Sequence, residues 1–490
     1  MSETANREPR LFTRTLANLA GAWREVSAGA ARTVERVTPD SRRNEVDGLR
    51  WLMQACVEAR GGEVSARGRA AELGRRYLAM TPEQRLTFFT LLAQEFGCRS
   101  DAVESAIDAY HDAADASTRV RAETRLRRAL EPQRVTILRQ FHAIPDGTKF
   151  LVDMRAELLK HVGAHPELKR LDDDLRDLLI AWFDVGFLDF QQITWHSSAA
   201  LLDKLIAYEA VHEIRDWDDL RDRLDSDRRC YALFHPRMPE EPLAFIEVAL
   251  TRSMAASVQR LLDDETPPDD PGQARAAIFY SISNTQQGLR GISFGDHLIK
   301  QVVGRLHQEL PRLEVFATLS PIPGFREWLA HVPPATVRAL SDEDERRAWA
   351  ELAGHNDPAT ALITLVERLA DEGAGSDTLA SALKAPLMRL CARYLLTRRN
   401  DGFPRDPVAR FHLKNGARLE RLNWLGDVSA KGMRQSAGMM VNYRYHLGEI
   451  ESNHEAYMRE GRITLGSDVQ SLLRGWKDPD GTPLRNLAAR

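Results

Sequence analysis

A glycine-containing loop between a predicted strand and a predicted helix is the first stretch of this chain that could do chemistry. The run 276–283 is apolar and β-branched, which predicts a strand, and the apolar spacing over 296–310 predicts a helix. Gly288, Gly291 and Gly295 lie between them. Glycine lets the backbone approach a ligand closely, and the N–H groups of a first helical turn attract phosphate. The loop is therefore either an anion-binding loop or an ordinary glycine turn into a helix.

Ser320 and His412 are the two side chains that could take part in acid–base chemistry. Ser320 follows a predicted strand and precedes Pro321 and Pro323, which fix the backbone and remove two N–H donors. A rigid backbone at this position suits a hydroxyl that takes part in a reaction, although a Ser-Pro sequence also begins ordinary turns. His412 titrates near neutrality and could deliver a proton, although it could also be a structural hairpin histidine. We expect strands over 409–413 and 418–424, joined by a hairpin at Asn415-Gly416.

The loop sequence resembles a known phosphate-binding loop. Arg290-Gly-Ile-Ser-Phe-Gly295 is similar to the pyrophosphate loop of the acetyltransferase-like superfamily, which binds coenzyme A. That pattern has a basic or amide residue, two further residues, a glycine, one residue, and then glycine or alanine. Ser293 stands where the first of those glycines is expected, so the side chain stays small but departs from the pattern.

Five motifs occur in an order that resembles the malonyl-CoA decarboxylase family. They are Ile-Phe-Tyr-Ser-Ile-Ser at 278–283, a Thr-Gln-Gly-type loop at 285–288, Leu-Ser-Pro-Ile-Pro-Gly-Phe at 319–325, Phe-His-Leu-Lys-Asn-Gly-Ala at 411–417 and Val-Asn-Tyr-Arg-Tyr at 441–445. Together they are long enough to be specific. The resemblance covers most of the chain from about Phe187 onward.

The resemblance implies roles for individual residues. His412 corresponds to the family's proton donor, and Ser320 to its active-site hydroxyl, the proton acceptor. Animal members carry an acidic residue at the position of Ser293, so this chain lacks that carboxylate. The residues implied to contact the substrate and coenzyme A are Arg290, Gly291, Ile292, Ser293, Phe294, Gly295, Asp296, Ser320 and His412. The residues implied to hydrogen-bond the site residues without touching the substrate are Ser281, Asn442 and Tyr445.

The implied reaction converts malonyl-CoA to acetyl-CoA and carbon dioxide, a lyase step of malonate and fatty acid metabolism. Decarboxylation leaves an enolate, and the thioester carbonyl is itself the electron sink. We therefore expect no metal, pyridoxal or thiamin cofactor, and malonyl-CoA and acetyl-CoA as ligands. Two alternatives stay open: an acyl-CoA N-acyltransferase, and a catalytically silent scaffold that binds coenzyme A.

The predicted fold class is α+β, with two domains in 490 residues. Residues 1–186 are predicted to form an all-helical bundle, in which Thr81-Pro82-Glu83-Gln84 is a helix start with a capping box. In the family, such a domain serves assembly, so we expect a homo-oligomer, a dimer or a tetramer. Residues 187–490 are predicted to form an acetyltransferase-like mixed-sheet catalytic domain, with a helical insertion at about 331–400.

The composition of the chain limits which partners and which cellular compartment we expect. A net charge of −4 gives no electrostatic case for nucleic acid, and no apolar run is long enough for a membrane span. The four cysteines are far apart, which favours a reducing, cytoplasmic location without a disulfide scaffold or zinc site. The Arg-bearing amphipathic stretch 10–24 could pass for a transit peptide. Glu3 and Glu8 favour a frayed N-terminal helix instead.

Overall fold

The computed structural model describes residues 45–58, 62–263, 269–292, 294–372 and 377–484, with positions 23, 26 and 488. Apart from Trp23, the helix predicted over 10–24 lies outside this range. The chain divides into two compact units. The first contains the described residues up to Asp189 together with Leu233–Leu243 and 284–292, and the second contains the remainder.

The first unit is helical, as predicted. Its helices are α1 (Glu45–Val57), α2 (Gly62–Ala79), α3 (Pro82–Glu95), α4 (Ser100–His111), α5 (Ala116–Ala129), α6 (Gln133–His142), α7 (Gly147–His161) and α8 (Lys169–Trp182). The predicted capping box at α3 is confirmed, because Thr81 and Gln84 exchange side-chain and backbone hydrogen bonds. Buried apolar side chains such as Phe88, Phe141 and Leu175 fill the interior of this unit.

The second unit is built on an eight-stranded mixed sheet, which confirms the α+β class. Its strands are β1 (Asp189–Ile193), β2 (Arg228–Phe234), β3 (Ala244–Thr251), β4 (Ala276–Asn284), β5 (Val315–Thr318), β6 (Ser320–Pro321), β7 (Arg418–Asn423) and β8 (Met440–Tyr445). The order is β1-β2-β3-β4-β5-β8-β6, with β7 paired on β8. Strands β4 and β5 are parallel, whereas β8 runs antiparallel to β5, β6 and β7. One strand therefore joins three others.

Helices cover and extend this sheet. They are α9 (Ala199–Tyr208), α10 (Trp217–Asp222), α11 (Val258–Leu261), α12 (Gly295–Glu309), α13 (Phe325–Ala330), α14 (Pro334–Ala339), α15 (Glu343–Ala353), α16 (Pro358–Glu372), α17 (Asp377–Leu396), α18 (Pro407–Lys414), α19 (Ala430–Ser436), α20 (Ile450–Glu460) and α21 (Ser467–Leu473). Helices α14 to α17 occupy the interval predicted as a helical insertion. No helix in the described part of the chain combines the length and apolar character needed to cross a membrane.

The core beneath the sheet is formed by small and branched side chains from adjacent strands. Ile278 and Tyr280 of β4, Leu319 after β5 and Met440 of β8 pack together with Val258 of α11, all of them nearly inaccessible to solvent. Alternate residues of a strand point to opposite faces. Thr318 and Ser320, one position to either side of Leu319, are thus free to point away from this core.

The predicted hairpin through Asn415-Gly416 is wrong, because 407–414 is helix α18 and not a strand. Asp406 is the N-cap: its Oδ1 accepts a hydrogen bond of 2.8 Å from the Ala409 N–H, and Pro407 occupies the first helical position. Gly416 follows the helix with a φ of 79°, the left-handed conformation typical of a residue after a helix. Asn-Gly here ends a helix, so His412 lies in a last helical turn.

We predict that the Asp406 cap supports the helix that carries His412. Asp406→Ala removes the acceptor for the Ala409 N–H and should lower the free energy of unfolding by about 1 kcal/mol or more. Asp406→Asn keeps an acceptor oxygen, and burial raises the pKa of the Asp406 carboxyl to about 6, so losing the charge is well tolerated. Urea unfolding of both variants measures the difference. Equal losses in the two variants would contradict the capping role.

Candidate functional site

Ser320 is held in the sheet by backbone pairing with β8. In the short strand β6, Ser320 lies opposite Val441 and Pro321 lies opposite Met440. The side chain of Ser320 is buried, at 6% exposure. Its Oγ is therefore a fixed, largely dehydrated hydroxyl, and the two prolines that follow it restrict the backbone there.

His412 reaches the same place from the last turn of α18. Its Nε2 lies 3.2 Å from Ser320 Oγ, and its Nδ1 lies 2.8 Å from the Tyr445 hydroxyl. The ring of Tyr443 stacks against the imidazole, with 4.7 Å between ring centroids. The structure thus brings together three residues that the sequence had singled out: Ser320, His412 and Tyr445.

The hydrogen bonds of this group run in one direction. Ser320 Oγ donates to Thr318 Oγ1 at 2.9 Å, which leaves its lone pairs facing His412. Nε2–H of the imidazole then donates to Ser320, and Nδ1 accepts from the Tyr445 hydroxyl. We call Tyr445, His412, Ser320 and Thr318 the polar row.

Burial sets the charge of the imidazole. Loss of hydration lowers the pKa of His412 from 6.5 to about 3, because the surroundings include no nearby charge that offsets the cost. His412 is therefore neutral at physiological pH, with one donor nitrogen and one acceptor nitrogen. This protonation state agrees with the direction of the polar row.

Asn442 supports the row through the backbone of β5. Its Nδ2 donates to the Thr318 carbonyl at 2.6 Å, and its Oδ1 accepts from Asn423 Nδ2 at 2.8 Å. Thr318 Oγ1 also accepts from the Tyr443 N–H at 3.1 Å. Asn442 thus contacts the strand that carries Thr318, as a residue supporting the site would.

Two buried polar groups, one on a ring stacked against His412 and one three positions after it in the chain, have no hydrogen-bond partner within the described part of the chain. They are the Tyr443 hydroxyl and both amide atoms of Asn415, which is the C-cap of α18. Burying an unpaired polar group costs roughly 1–3 kcal/mol. Such groups are available for hydrogen bonds with a ligand.

Ser281, which the resemblance implied to hydrogen-bond the site, bonds a carboxylate instead. Its Oγ lies 2.7 Å from both carboxylate oxygens of Glu209, whose Oε1 also accepts from the N–H groups of Val211 and His212 at 2.8 Å. Ser283, two positions along β4, bonds the same carboxylate at 3.1 Å. Ser281 belongs to a cluster around Glu209 and makes no hydrogen bond to the polar row.

The glycine loop begins in the first unit and continues into the second. A 3₁₀ turn, Gln287–Leu289, leads to Arg290, and Gly291 has a φ of 83°, which a side chain would oppose. Phe294 is buried at the start of α12, whose first two residues are Gly295 and Asp296. Position 293 and the side chains at 295 and 296 lie outside the described atoms. The predicted strand, glycine loop, helix and return strand are confirmed as elements.

Sequence reasoning did not single out Thr318, Tyr443 or Arg155, three residues that contact the polar row or the glycine loop. Thr318 and Ser320 share a face because they are two positions apart in an extended segment, and the same spacing relates Tyr443 to Tyr445. This period-two signal could have identified both residues. Arg155 carried no such signal: it lies in α7, and its Nη1 donates to the carbonyls of Gly288 and Arg290.

No cluster of three or more His, Cys, Asp or Glu side chains with metal-binding geometry occurs in the ranges that the structure describes. The donor chemistry of the polar row is hydroxyl and imidazole alone. Its geometry suits proton transfer between buried neutral groups.

Comparison with known proteins identifies the family. Residues 186–481 match the model of the malonyl-CoA decarboxylase C-terminal domain, and residues 96–183 match that of the N-terminal domain. The mitochondrial malonyl-CoA decarboxylase of Anser anser anser is 37% identical over 424 residues, covering 83% of this chain and 84% of the relative. That of Rattus norvegicus is 38% identical over 407 residues, covering 80% and 82%.

Solved structures agree with the sequence matches. The crystal structure of malonyl-CoA decarboxylase from Rhodopseudomonas palustris has a TM-score of 0.76 at 45% identity, covering 88% of this chain and 100% of that one. That from Agrobacterium vitis has a TM-score of 0.76 at 41% identity, covering 87% and 99%. These relatives share both units, and the chain belongs to the malonyl-CoA decarboxylase family.

Proposed function

We propose that this chain is a carboxy-lyase that converts malonyl-CoA to acetyl-CoA and carbon dioxide. Family membership supports the activity. The observation that carries the proposal for the site is the 3.2 Å contact between Ser320 Oγ and His412 Nε2. Both side chains are buried, so the pair acts in a dehydrated environment where hydrogen bonds to a developing charge are strong.

The chemistry has two steps. The bond between the carboxylate carbon and the α-carbon of the malonyl group breaks, carbon dioxide leaves, and the electron pair passes into the thioester as an enolate. A proton then goes to the α-carbon to form the acetyl group, and solvent later replaces the proton that the enzyme has lost. The protein must therefore hold the carboxylate, stabilise the enolate oxygen and supply one proton.

We assign the proton delivery to the polar row. His412, neutral in the free enzyme, is the proton donor, and Ser320 is the hydroxyl that contacts the departing carboxylate and relays protons with the imidazole. Tyr445 holds Nδ1 and can return a proton to the ring, while Thr318 fixes the Ser320 hydroxyl. A bound malonyl carboxylate would also raise the pKa of His412, because a nearby negative charge favours the imidazolium form.

The Tyr443 hydroxyl and the Asn415 amide are our candidates for holding the enolate oxygen or the carboxylate. Both are buried, and neither has a partner within the described residues. The Tyr443 ring stacks on His412, and the backbone N–H of Asn415 donates to the His412 carbonyl at 3.1 Å. Donors left unpaired in the free protein can be satisfied on ligand binding. This arrangement gives the substrate hydrogen bonds without breaking any in the protein.

We assign coenzyme A to the glycine loop, in an acetyltransferase-like catalytic unit. The element order supports this class: β4, the loop, α12 and then β5, which pairs in parallel with β4. The positive φ of Gly291 lets the backbone approach the pyrophosphate. The proposed contacts to coenzyme A are Arg290, Gly291, Ile292, Ser293, Phe294, Gly295 and Asp296.

Family membership favours the decarboxylase over the N-acyltransferase and the silent scaffold. Incubation with malonyl-CoA separates the three. Release of carbon dioxide without an added amine is expected; amine-dependent release of coenzyme A would indicate the acyltransferase, and binding without turnover the scaffold.

We further propose that the helical unit assembles a homo-oligomer, a dimer or a tetramer, in the cytoplasm. The proposal of a reducing compartment is supported by four unpaired cysteines, three of them buried: Cys56, Cys230 and Cys391. The vertebrate relatives are named as mitochondrial, so cell fractionation is the test of location. Light scattering of the full chain is the test of assembly.

Substitutions at the pair should reduce turnover and leave binding intact. His412→Asn should lower kcat by about 10² to 10⁴, the usual cost of losing a positioned acid–base group, with little change in the dissociation constant of coenzyme A. Ser320→Ala should act similarly. The double variant should lose little more than the worse single variant if the residues act as a unit.

The matched control is Ser341→Ala, which removes another buried serine hydroxyl, one bonded only within the helical region near α14. Its kcat should stay near that of the unmodified enzyme. Full activity in His412→Asn would refute the mechanism, and losses that multiply in the double variant would refute the pairing.

The low pKa of His412 should make stability depend on pH. Between pH 6.5 and about 3 the unfolded chain protonates this histidine and the folded chain does not, so the free energy of unfolding falls as pH falls. Within that window, His412→Asn should lose stability less steeply, by up to about 1.4 kcal/mol per pH unit. Urea unfolding at several pH values compares the two proteins. Parallel curves would show that His412 is not buried as a neutral imidazole.

Turnover should need no added cofactor, because the thioester carbonyl accepts the electron pair. We predict that activity survives exhaustive dialysis against a chelator, measured as carbon dioxide release from malonyl-CoA. Activity that is lost and then restored by one metal ion would contradict this prediction.

A further inference from the structure

Arg155 is a buried cation in α7 whose hydrogen bonds converge on the glycine loop. It is 2% exposed, and its Nη1 donates to the carbonyls of Gly288 at 2.7 Å and Arg290 at 3.0 Å. Its Nε donates to Asp172 Oδ1 at 2.8 Å, and Asp172 is itself 6% exposed. A buried arginine needs a charge partner and acceptors for its remaining donors, and the loop carbonyls are those acceptors.

The loop is also in close contact with α7 at Gly288. A Cβ atom built at this glycine would lie 1.8 Å from the Val152 carbonyl oxygen, far inside the distance at which non-bonded heavy atoms clash. The backbone of the loop therefore lies directly on the helix. Arg155 lies three positions after Val152 and therefore near it on the helix surface. From there it donates hydrogen bonds to the carbonyls of Gly288 and Arg290.

Arg155 fixes the direction of one backbone donor. A trans peptide unit is planar, so its C=O and the following N–H point in opposite directions. With the Arg290 carbonyl bonded to Arg155, the N–H of Gly291 points away from the guanidinium. This N–H has no acceptor among the residues that the structure describes, whereas the next one, at Ile292, donates to the Leu289 carbonyl at 2.9 Å.

We propose that Arg155 is a positioning residue for coenzyme A. By holding the Gly288 and Arg290 carbonyls, it keeps the Gly291 N–H directed toward the pyrophosphate and turns the partial negative charge of both carbonyls away from it. Asp172 orients the guanidinium. The inference rests on the proposed coenzyme A contacts of residues 290–296, and it assigns to the helical unit a part in substrate binding beyond assembly.

The test compares malonyl-CoA with malonyl-pantetheine, which carries the same thioester and malonyl group but no pyrophosphate. The variant is Arg155→Met combined with Asp172→Asn, so that no unpaired carboxylate is buried. Its kcat/KM for malonyl-CoA should fall roughly tenfold, because KM rises while kcat stays nearly unchanged. A loss of this size is typical of weakening one hydrogen bond to a charged group. Its kcat/KM for malonyl-pantetheine should stay within about twofold of the value for the unmodified enzyme. That change is much smaller than the roughly tenfold loss expected for malonyl-CoA.

The matched control is a second arginine–aspartate pair of this unit, Arg134→Met with Asp174→Asn, in which the arginine is buried and the aspartate is partly exposed. Arg134 is 5% exposed, pairs with Asp174 and donates to the Ala93 carbonyl within the bundle, without contacting the loop. It should lose comparable stability and leave the ratio of the two kcat/KM values unchanged. Arg155→Lys, which keeps the charge beside Asp172 but not the fork of donors, should give an intermediate ratio.

Equal losses for both substrates, or the same change of ratio in the Arg134 control, would overturn the proposal. If the combined Arg155 variant fails to fold, the ratio measured for Arg155→Lys decides, and an unchanged ratio there is refuting. If the unmodified enzyme released no carbon dioxide from either substrate, the proposed function would fail. The dissociation constants of coenzyme A and pantetheine would then carry the same comparison, and a loss confined to coenzyme A would still support the positioning role.

Discussion

The pairing of β8 with three other strands is the constraint on which the polar site depends. Its residue Val441 sets the register of Ser320, while Tyr443 and Tyr445, two positions apart, reach His412 from the same face. Between them, Asn442 bonds the Thr318 carbonyl of β5. A slip of one residue in the pairing of β8 would turn both tyrosine side chains to the opposite face of the sheet. The backbone hydrogen bonds of β8 therefore determine which side chains meet around His412.

Burial of this group has electrostatic consequences. The low dielectric environment keeps His412 neutral and strengthens each hydrogen bond in the polar row. The same environment makes unpaired donors costly, so the Asn415 amide and the Tyr443 hydroxyl, which lack partners among the described residues, each lower the stability of the fold. Fixed, dehydrated donors of this kind are the groups that stabilise developing charge in enzymes, which is the role proposed for them above.

The glycine loop depends on a different constraint, close packing against a helix of the first unit. Gly288 is required because the Val152 carbonyl occupies the space of a side chain, and Arg155 neutralises the carbonyls that this packing buries. These contacts all lie within the first unit. The helix determines the conformation of a segment that is distant from it in sequence.

Local signals in the sequence determined the α+β class, the capped start of α3, strand β4, helix α12 and the motif order that identifies the family. The individual elements depend on residues within a few positions of each other, so pattern and capping rules apply, and the motif order is read directly along the chain. The sequence also singled out Ser320, His412 and Tyr445. Only the tertiary structure decided that Asn415-Gly416 ends a helix, that Ser281 bonds Glu209, and that Arg155 bonds the glycine loop. Those outcomes depend on strand register and on contacts between distant segments, which local propensity does not encode.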